Sequence, residues 1–428
     1  MSAPTTAHNG WRLSAWCVVA AFGAYFCMYA FRKPFTAGLY SEPSFGGIPS
    51  LAVLVMAQTL GYTASKVLGI KIIAEMPPGR RITWLLGLIG CAQLALLFFG
   101  MTAAPWNCVF LFLNGLPLGM VFGLVLSFLE GRRHTEALTA GLCTSFIVAD
   151  GVMKTVGGYL LTAGASEAWM PFTAGLCFVP ALLLFAWMLS RVPAPSAEDV
   201  AARSERAPMD AATRWEFFRR YAPGLALLLL IYLLVTVLRS VRADFARPIW
   251  RGLGIDEDPS VFAASESVVG LCILPLSALA VCIRDNRKAF FTALALGIAG
   301  TLLVGAALAG LASERLPAFS FMVLHGLGLY LPYVVFHTTL FERLIALTRD
   351  RGNIGYLMYL ADAFGYLGAA TVVVAKNLIT IEGNFLDFFV PLSWVIAIVC
   401  AILLIPCWIY FAQVPSAKSV PELEVAQA

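Results

Sequence analysis

Charge is what this sequence has least of. Of its 428 residues only 13% are Asp, Glu, Lys or Arg, while 60% are hydrophobic, and mean hydropathy is +0.82. A soluble fold cannot hide that much apolar surface behind so few charges. Histidine is rare as well. The four present (His8, His134, His325 and His337) lack the spacing of metal ligands. The ten cysteines, among them Cys17, Cys27, Cys91, Cys143 and Cys282, form no C-x-x-C pair and sit mostly inside apolar runs. They read as small buried hydrophobes, so neither a disulfide framework nor a metal site is expected. No nucleophile elbow and no Gly-rich phosphate loop is found, so an enzyme is not expected, and no cofactor. The polar N-terminal stretch is short, and no small-residue cleavage site follows the first apolar run. That run reads as a retained helix.

What the sequence has is a succession of apolar runs, each of roughly the 20 residues needed to cross a bilayer. They lack the polar alternation of barrel strands, so each reads as a helix whose backbone groups are paired internally. The expected fold is an all-α membrane protein of twelve transmembrane helices. The first six fall at 13–40, 50–74, 82–102, 105–129, 137–164 and 168–190. The second six fall at 221–248, 258–283, 289–312, 317–341, 354–377 and 386–412. The domains are then an N-terminal half at 1–190, a polar linker at 191–220 and a C-terminal half at 221–428. Basic residues crowd the connectors after helices 2, 4, 6, 8 and 10. Examples are Arg80 and Arg81, Arg132 and Arg133, Arg203 and Arg206, Arg284 and Lys288, and Arg349 and Arg351. By the positive-inside rule both termini and the linker are expected in the cytoplasm of a multi-pass inner-membrane protein.

The halves repeat one another. Tyr25, Tyr29 and Arg32 in helix 1 match Tyr232, Thr236 and Arg239 in helix 7, each 207 residues on. Asn114-Gly-Leu in helix 4 matches His325-Gly-Leu in helix 10, and Ala149-Asp150 in helix 5 matches Ala361-Asp362 in helix 11. Three matches in one order argue for two pseudo-symmetric six-helix halves, with a solute site between them near the midplane.

Intramembrane ionisable residues are costly and mark function. Arg32 shares a helix face with Tyr25 and Tyr29, and Arg239 shares one with Tyr232 and Thr236. Two guanidinium forks meeting across a cavity suit a phosphate or a carboxylate. Each arginine could instead pair with a nearby acid or snorkel to the interface. Lys66 lies too deep in helix 2 to snorkel with Lys71. Lys154 could bind the solute, or Asp150 could neutralise it at i,i+4. Asp244, Glu266 and Asp362 are the remaining buried acids. His325 and His337 read more readily as satisfied polar residues than as proton carriers, although His325 is kept among the candidate solute contacts.

The segments YAFRKPF at 29–35, GYTASKVLG at 61–69 and LRSVRADF at 238–245 resemble the organophosphate:phosphate antiporters of the major facilitator superfamily, of the glycerol-3-phosphate transporter type. The resemblance continues through Ser-Glu-Ser around Glu266 and FGYLG at 364–368, and runs through all twelve helices in order. It implies that Arg32 and Arg239 bind the phosphate, that Lys66 lines the site, and that Lys33, Asp244 and Glu266 form charge pairs between the halves. Lys154 stands where the family has histidine. Gly69…Glu75 followed by Pro77-Pro78-Gly79-Arg80 replaces the family's Gly…Asp-Arg loop. The histidine replacement raises the expectation of a more negatively charged solute than a simple phosphomonoester.

The sequence thus points to a secondary active transporter of a small anionic, phosphorylated organic solute, working by alternating access. Exchange for phosphate is one form this could take, and a transporter-like membrane sensor of such a ligand is the alternative. The candidate solute contacts are Arg32, Arg239, Lys66, Lys154, Tyr25, Tyr29, Tyr232 and His325. The candidate gating or charge-pair residues are Lys33, Asp244, Glu266, Asp150 and Asp362. Lys33 is expected to pair with Asp244 across the halves and Glu266 to balance an arginine at the site, with local pairing of Asp244 to Arg242 or Arg247 as the alternative. The expected partners are the solute and the lipid bilayer, with no nucleic acid, and the chain is expected to work as a monomer.

Overall fold

A computed structural model describes residues 7–40, 48–74, 76–130, 132, 135–194, 211–255, 258–281, 283, 285–348, 354–378 and 384–414. Glu75, Arg133, Arg203, Arg206, Arg284, Arg349, Arg351 and most of the 191–220 linker lie outside these residues.

Among the described residues the secondary structure is helical. The first half contains α1 (Ala7–Met28), α2 (Ser50–Ala74), α3 (Arg81–Met101), α4 (Cys108–Leu129), α5 (Thr135–Thr162) and α6 (Met170–Ser190). A short α7 (Ala211–Arg220) leads into the second half. There follow α8 (Ala222–Asp244), the short α9 (Ala246–Gly252), α10 (Ser260–Val281), α11 (Asn286–Ala312), α12 (Ala318–Val335), α13 (Phe341–Thr348), α14 (Ile354–Leu378) and α15 (Phe385–Gln413). Among the described residues eleven spans are long and apolar enough to cross a membrane, and a shorter apolar helical stretch at Leu360–Ala375 lies within α14. These are the twelve expected helices in two six-helix halves. The face where α1 begins and α15 ends is called the terminal face below, and its opposite the far face.

Two departures from regular helix shape the interior. The first span, expected as one helix to residue 40, is α-helical only to Met28. It continues as 3₁₀ turns at Tyr29–Phe31 and Pro34–Ala37. Pro34 has no N–H and its ring clashes with the preceding turn, so the α-helical ladder stops short of it. The carbonyls freed by the break find side-chain donors. Asn114 Nδ2 donates to the Phe31 carbonyl at 3.0 Å and Gln58 Nε2 donates to the Arg32 carbonyl at 3.0 Å. Gln58 also donates to Asn114 Oδ1 at 2.8 Å. This network fixes the backbone that carries Arg32 and Lys33. The second departure is a π turn at Phe336–Leu340, after Pro332 in α12. Such turns rotate the following side chains relative to a continuous helix, and this one carries His337.

Close backbone approach depends on glycine at several helix crossings. A Cβ on Gly115 would lie 2.3 Å from the Gln58 carbonyl oxygen, and one on Gly61 2.1 Å from the Phe112 carbonyl oxygen, so α2 and α4 approach closely because these residues have none. A Cβ on Gly151 would lie 2.3 Å from the Phe262 carbonyl oxygen. Gly151 is in α5 and Phe262 in α10, so this contact joins the two halves. Small residues at helix crossings serve this purpose in membrane bundles, where tight packing replaces a hydrophobic driving force.

Candidate functional site

A narrow cavity between the halves holds about 270 Å³ of non-atom space. Its wall includes Tyr25, Tyr29, Tyr62 and Lys66 from the first half, and Arg239, Tyr333, His337, Asp362 and Tyr366 from the second. Arg239 reaches it directly. Its Nη2 donates to the Tyr366 hydroxyl at 3.2 Å, and its guanidinium carbon sits 4.5 Å from the Tyr333 ring centre. Arg32 sits one ring away, its guanidinium carbon 3.9 Å from the centre of the Tyr62 ring. Tyr62 and Tyr366 meet edge to face at 5.0 Å, so the two arginines are linked through a pair of tyrosines, one from each half. Tyrosine faces stabilise guanidinium without neutralising it. Among the described residues neither arginine has a carboxylate partner, and the Nε of each lacks a hydrogen bond.

The other four cations described between the helices, Lys33, Lys66, Lys154 and Arg242, are each paired with an acid. Lys66 Nζ lies 2.8 Å from Asp362 Oδ2. Lys33 pairs with Asp244, and its Nζ is 3.3 Å from Asp150 Oδ1. Lys154 pairs with Asp150 one helical turn away. Arg242 Nη1 donates to Glu266 Oε1 at 2.6 Å and its Nη2 to the Met322 carbonyl at 2.9 Å. Two of these pairs, Lys33–Asp244 and Lys66–Asp362, cross between the halves on opposite sides of the cavity. On the far side Thr155 Oγ1 also donates to the Pro259 carbonyl at 2.6 Å, and Arg247 donates to the Ala37 carbonyl. On the terminal side Phe122 meets His337 edge to face at 6.2 Å.

Residues 34–414 match the family of unknown function DUF5690. The chain belongs to that family. No curated protein matches this DUF5690 chain by sequence. Among solved structures it is similar to a D-xylose-proton symporter, at TM-score 0.61 and 12% identity, over 95% of this chain and 98% of the other. It is also similar to a mutant of the nucleoside transporter NupG, at TM-score 0.56 and 12% identity, over 93% and 100%. These likenesses establish the major-facilitator fold for the DUF5690 chain.

Several residues singled out from the sequence sit elsewhere than expected. Glu266 does not balance Arg32 or Arg239. Its partner is Arg242, one helical turn beyond Arg239 toward the far end of α8, where it reaches Glu266 of α10 and the Met322 carbonyl of α12. Asp244 takes Lys33 rather than a local pairing with Arg242 or Arg247. Lys154 does not line the cavity, because Asp150 holds its ammonium group. The expectation of extra negative charge on the solute loses its basis there. His325 is fully buried away from the cavity, against Phe321 and Phe389, with Nε2 3.2 Å from Ser393 Oγ. It takes the structural place that Asn114 holds in the first half. Asp362, expected among the gating charges, is on the cavity wall. Tyr232 stands just behind the wall and donates its hydroxyl to Asp362. The sequence reading missed Tyr62, Tyr333 and Tyr366, and it set His337 aside. Tyr62 and Tyr366 each follow a glycine inside a span, a signal that could have found them.

Proposed function

We propose that this chain is a secondary active transporter of a small organic anion, of the phosphorylated class, moved by alternating access. One observation carries the reading. Among the described residues the bundle interior holds six cations (Arg32, Lys33, Lys66, Lys154, Arg239 and Arg242) against four acids (Asp150, Asp244, Glu266 and Asp362), and the two cations left without an acid are the repeat-related arginines, Arg239 on the cavity wall and Arg32 one ring behind it. Burying an unpaired charge costs several kcal/mol. A ligand carrying two negative charges removes that cost in one step. Guanidinium forks match phosphate geometry, and the surrounding tyrosine hydroxyls offer further donors. Solute binding between the halves then biases the equilibrium between their inward- and outward-open arrangements. The basic connectors favour a cytoplasmic terminal face in the inner membrane.

Ligand-induced thermal stabilisation of the purified protein tests the reading. Phosphate, sugar phosphates and dicarboxylates are compared with neutral sugars and nucleosides. Stabilisation by the phosphorylated compounds, lost in Arg239→Lys, is the expected result. Stabilisation by neutral compounds alone would end the proposal.

A further inference from the structure

The terminal side of the cavity holds a group of acceptors with too few protons. Asp362 in α14 faces Lys66 of α2 at 2.8 Å and accepts the Tyr232 hydroxyl of α8. His337, in the π turn, places Nε2 3.6 Å from Asp362 Oδ1 and 3.2 Å from the Tyr232 oxygen. Its Nδ1 is 2.9 Å from the Tyr333 carbonyl. A carbonyl oxygen only accepts, so Nδ1 carries the ring proton of the neutral imidazole, and Nε2 presents a lone pair. The single Tyr232 proton is already given to Asp362. Nε2 therefore faces one phenol oxygen and one carboxylate oxygen with no proton between them. The other titratable groups around Asp362 are Tyr62 of α2, Tyr333 of α12 and Cys143 of α5. Among the described residues none of the three donates a hydrogen bond to Nε2.

We infer that Asp362 and His337 together form a proton-binding site that controls the Lys66 contact between the halves. A proton added at Nε2 turns His337 into a charged donor toward Asp362, which then competes with Lys66 for the carboxylate and weakens its hold on that lysine. Lys66 lies sixteen residues along α2 and Asp362 eight residues into α14, which puts their contact on the terminal side by helical rise. Protonation thus loosens that side of the cavity. It also releases an ammonium group at the cavity wall. If the carrier reading holds, the freed Lys66 is a third cation for the solute, and solute and proton bind cooperatively. Linkage makes this reciprocal: the anion raises proton affinity as much as the proton raises anion affinity. The second half of the inference rests on the proposed function; the proton site does not.

The experiment keeps the two apart. Spin labels are attached at Arg80→Cys and Lys288→Cys, on the terminal ends of the two halves, in the full chain with its native cysteines replaced. Distances are measured without ligand at about pH 8.5 and about pH 5.5, on either side of neutrality. The expected result is a shift to longer distances at the lower pH. Asp362→Asn should show the long-distance population at both pH values. The double variant Lys66→Gln/Asp362→Asn should do the same without leaving a buried unpaired lysine. A wild-type distribution that ignores pH, or a pH response that survives in the variants, would overturn the proton site. A second arm adds inorganic phosphate in weak buffer and reads proton uptake with an indicator dye. About one proton per bound phosphate is expected, and none in the double variant. Phosphate that binds without proton uptake would overturn the coupling. Failure of phosphate to bind counts against the carrier reading, and the distance arm still decides the proton site.

Discussion

The first six helices bring four cations into the interior, Arg32, Lys33, Lys66 and Lys154, with the single acid Asp150. The second six bring two, Arg239 and Arg242, with the acids Asp244, Glu266 and Asp362. Two halves of like fold thus carry interior charge of opposite sign. The excess lysines of one meet the excess acids of the other at Lys33–Asp244 and Lys66–Asp362, on either side of the cavity. Among the described residues Arg32 and Arg239, the cations that the repeat keeps in both halves, are left without an acid. The lysines of the first half join it to the second, and symmetry supplies the positive site. The backbone differs in the same sense. Arg32 sits in the break between two 3₁₀ turns, held by Gln58 and Asn114, whereas Arg239 sits within the continuous α8.

Charge reversal at one of the joining contacts should break this arrangement most strongly. Lys33→Asp places a third carboxylate beside Asp150 and Asp244 and removes their shared cation. Breaking a buried pair costs about 3–5 kcal/mol, so thermal unfolding in detergent should fall sharply and solute exchange should be lost. Asp244→Lys alone should do comparable harm. The double swap should recover part of both readouts, and a double variant no better than the worse single one would refute the contact between the halves.

The arginines test the symmetric part of the comparison. Arg32→Lys and Arg239→Lys keep the charge but lose the fork and the planar stacking on tyrosine. Each should weaken anion binding by about 10- to 100-fold, or about 1.4–2.7 kcal/mol, with little change in stability. Binding unchanged in one of the two would show that the halves contribute unequally.

A smaller effect is expected where the halves touch backbone to backbone. Gly151→Ala puts a methyl group against the Phe262 carbonyl, and overpacking of this kind costs about 1–3 kcal/mol. The melting temperature should drop, and the far side of the cavity should become more accessible to thiol reagents. The smallest effect belongs to Lys154. Its charge is held by Asp150, and Asp150 keeps Lys33 when Lys154 is removed. Lys154→Gln should change solute affinity by less than about threefold, under about 0.7 kcal/mol.

The spans and the arginine pair were legible in the sequence for physical reasons. Apolar runs of bilayer length have few readings, and an arginine buried twice at the same place in a repeat asks for a ligand. The end of the first α-helix was misplaced: the helix was expected to run to residue 40, and the sequence reading overlooked that Pro34 forbids its continuation. The tyrosines at the cavity were not legible. The chain has 30 Phe and 13 Tyr, and spans that are apolar on all sides give no rotational phase to say which rings face inward. His337 was hidden because the π turn after Pro332 changes its direction, and a regular helical count does not include that turn. Glu266 was assigned to the wrong arginine because Arg239 and Arg242 lie only one turn apart on α8, and the sequence does not say which of the two meets α10.

Counterflow in proteoliposomes tests the central claim most directly. Vesicles holding the purified full chain are loaded with unlabelled phosphate and diluted into a trace of labelled phosphate. The expected result is transient accumulation of label above empty vesicles, abolished in both Arg32→Lys and Arg239→Lys. Label that binds to the protein yet never accumulates inside, or accumulation that survives in both variants, would contradict an anion carrier built on these two arginines.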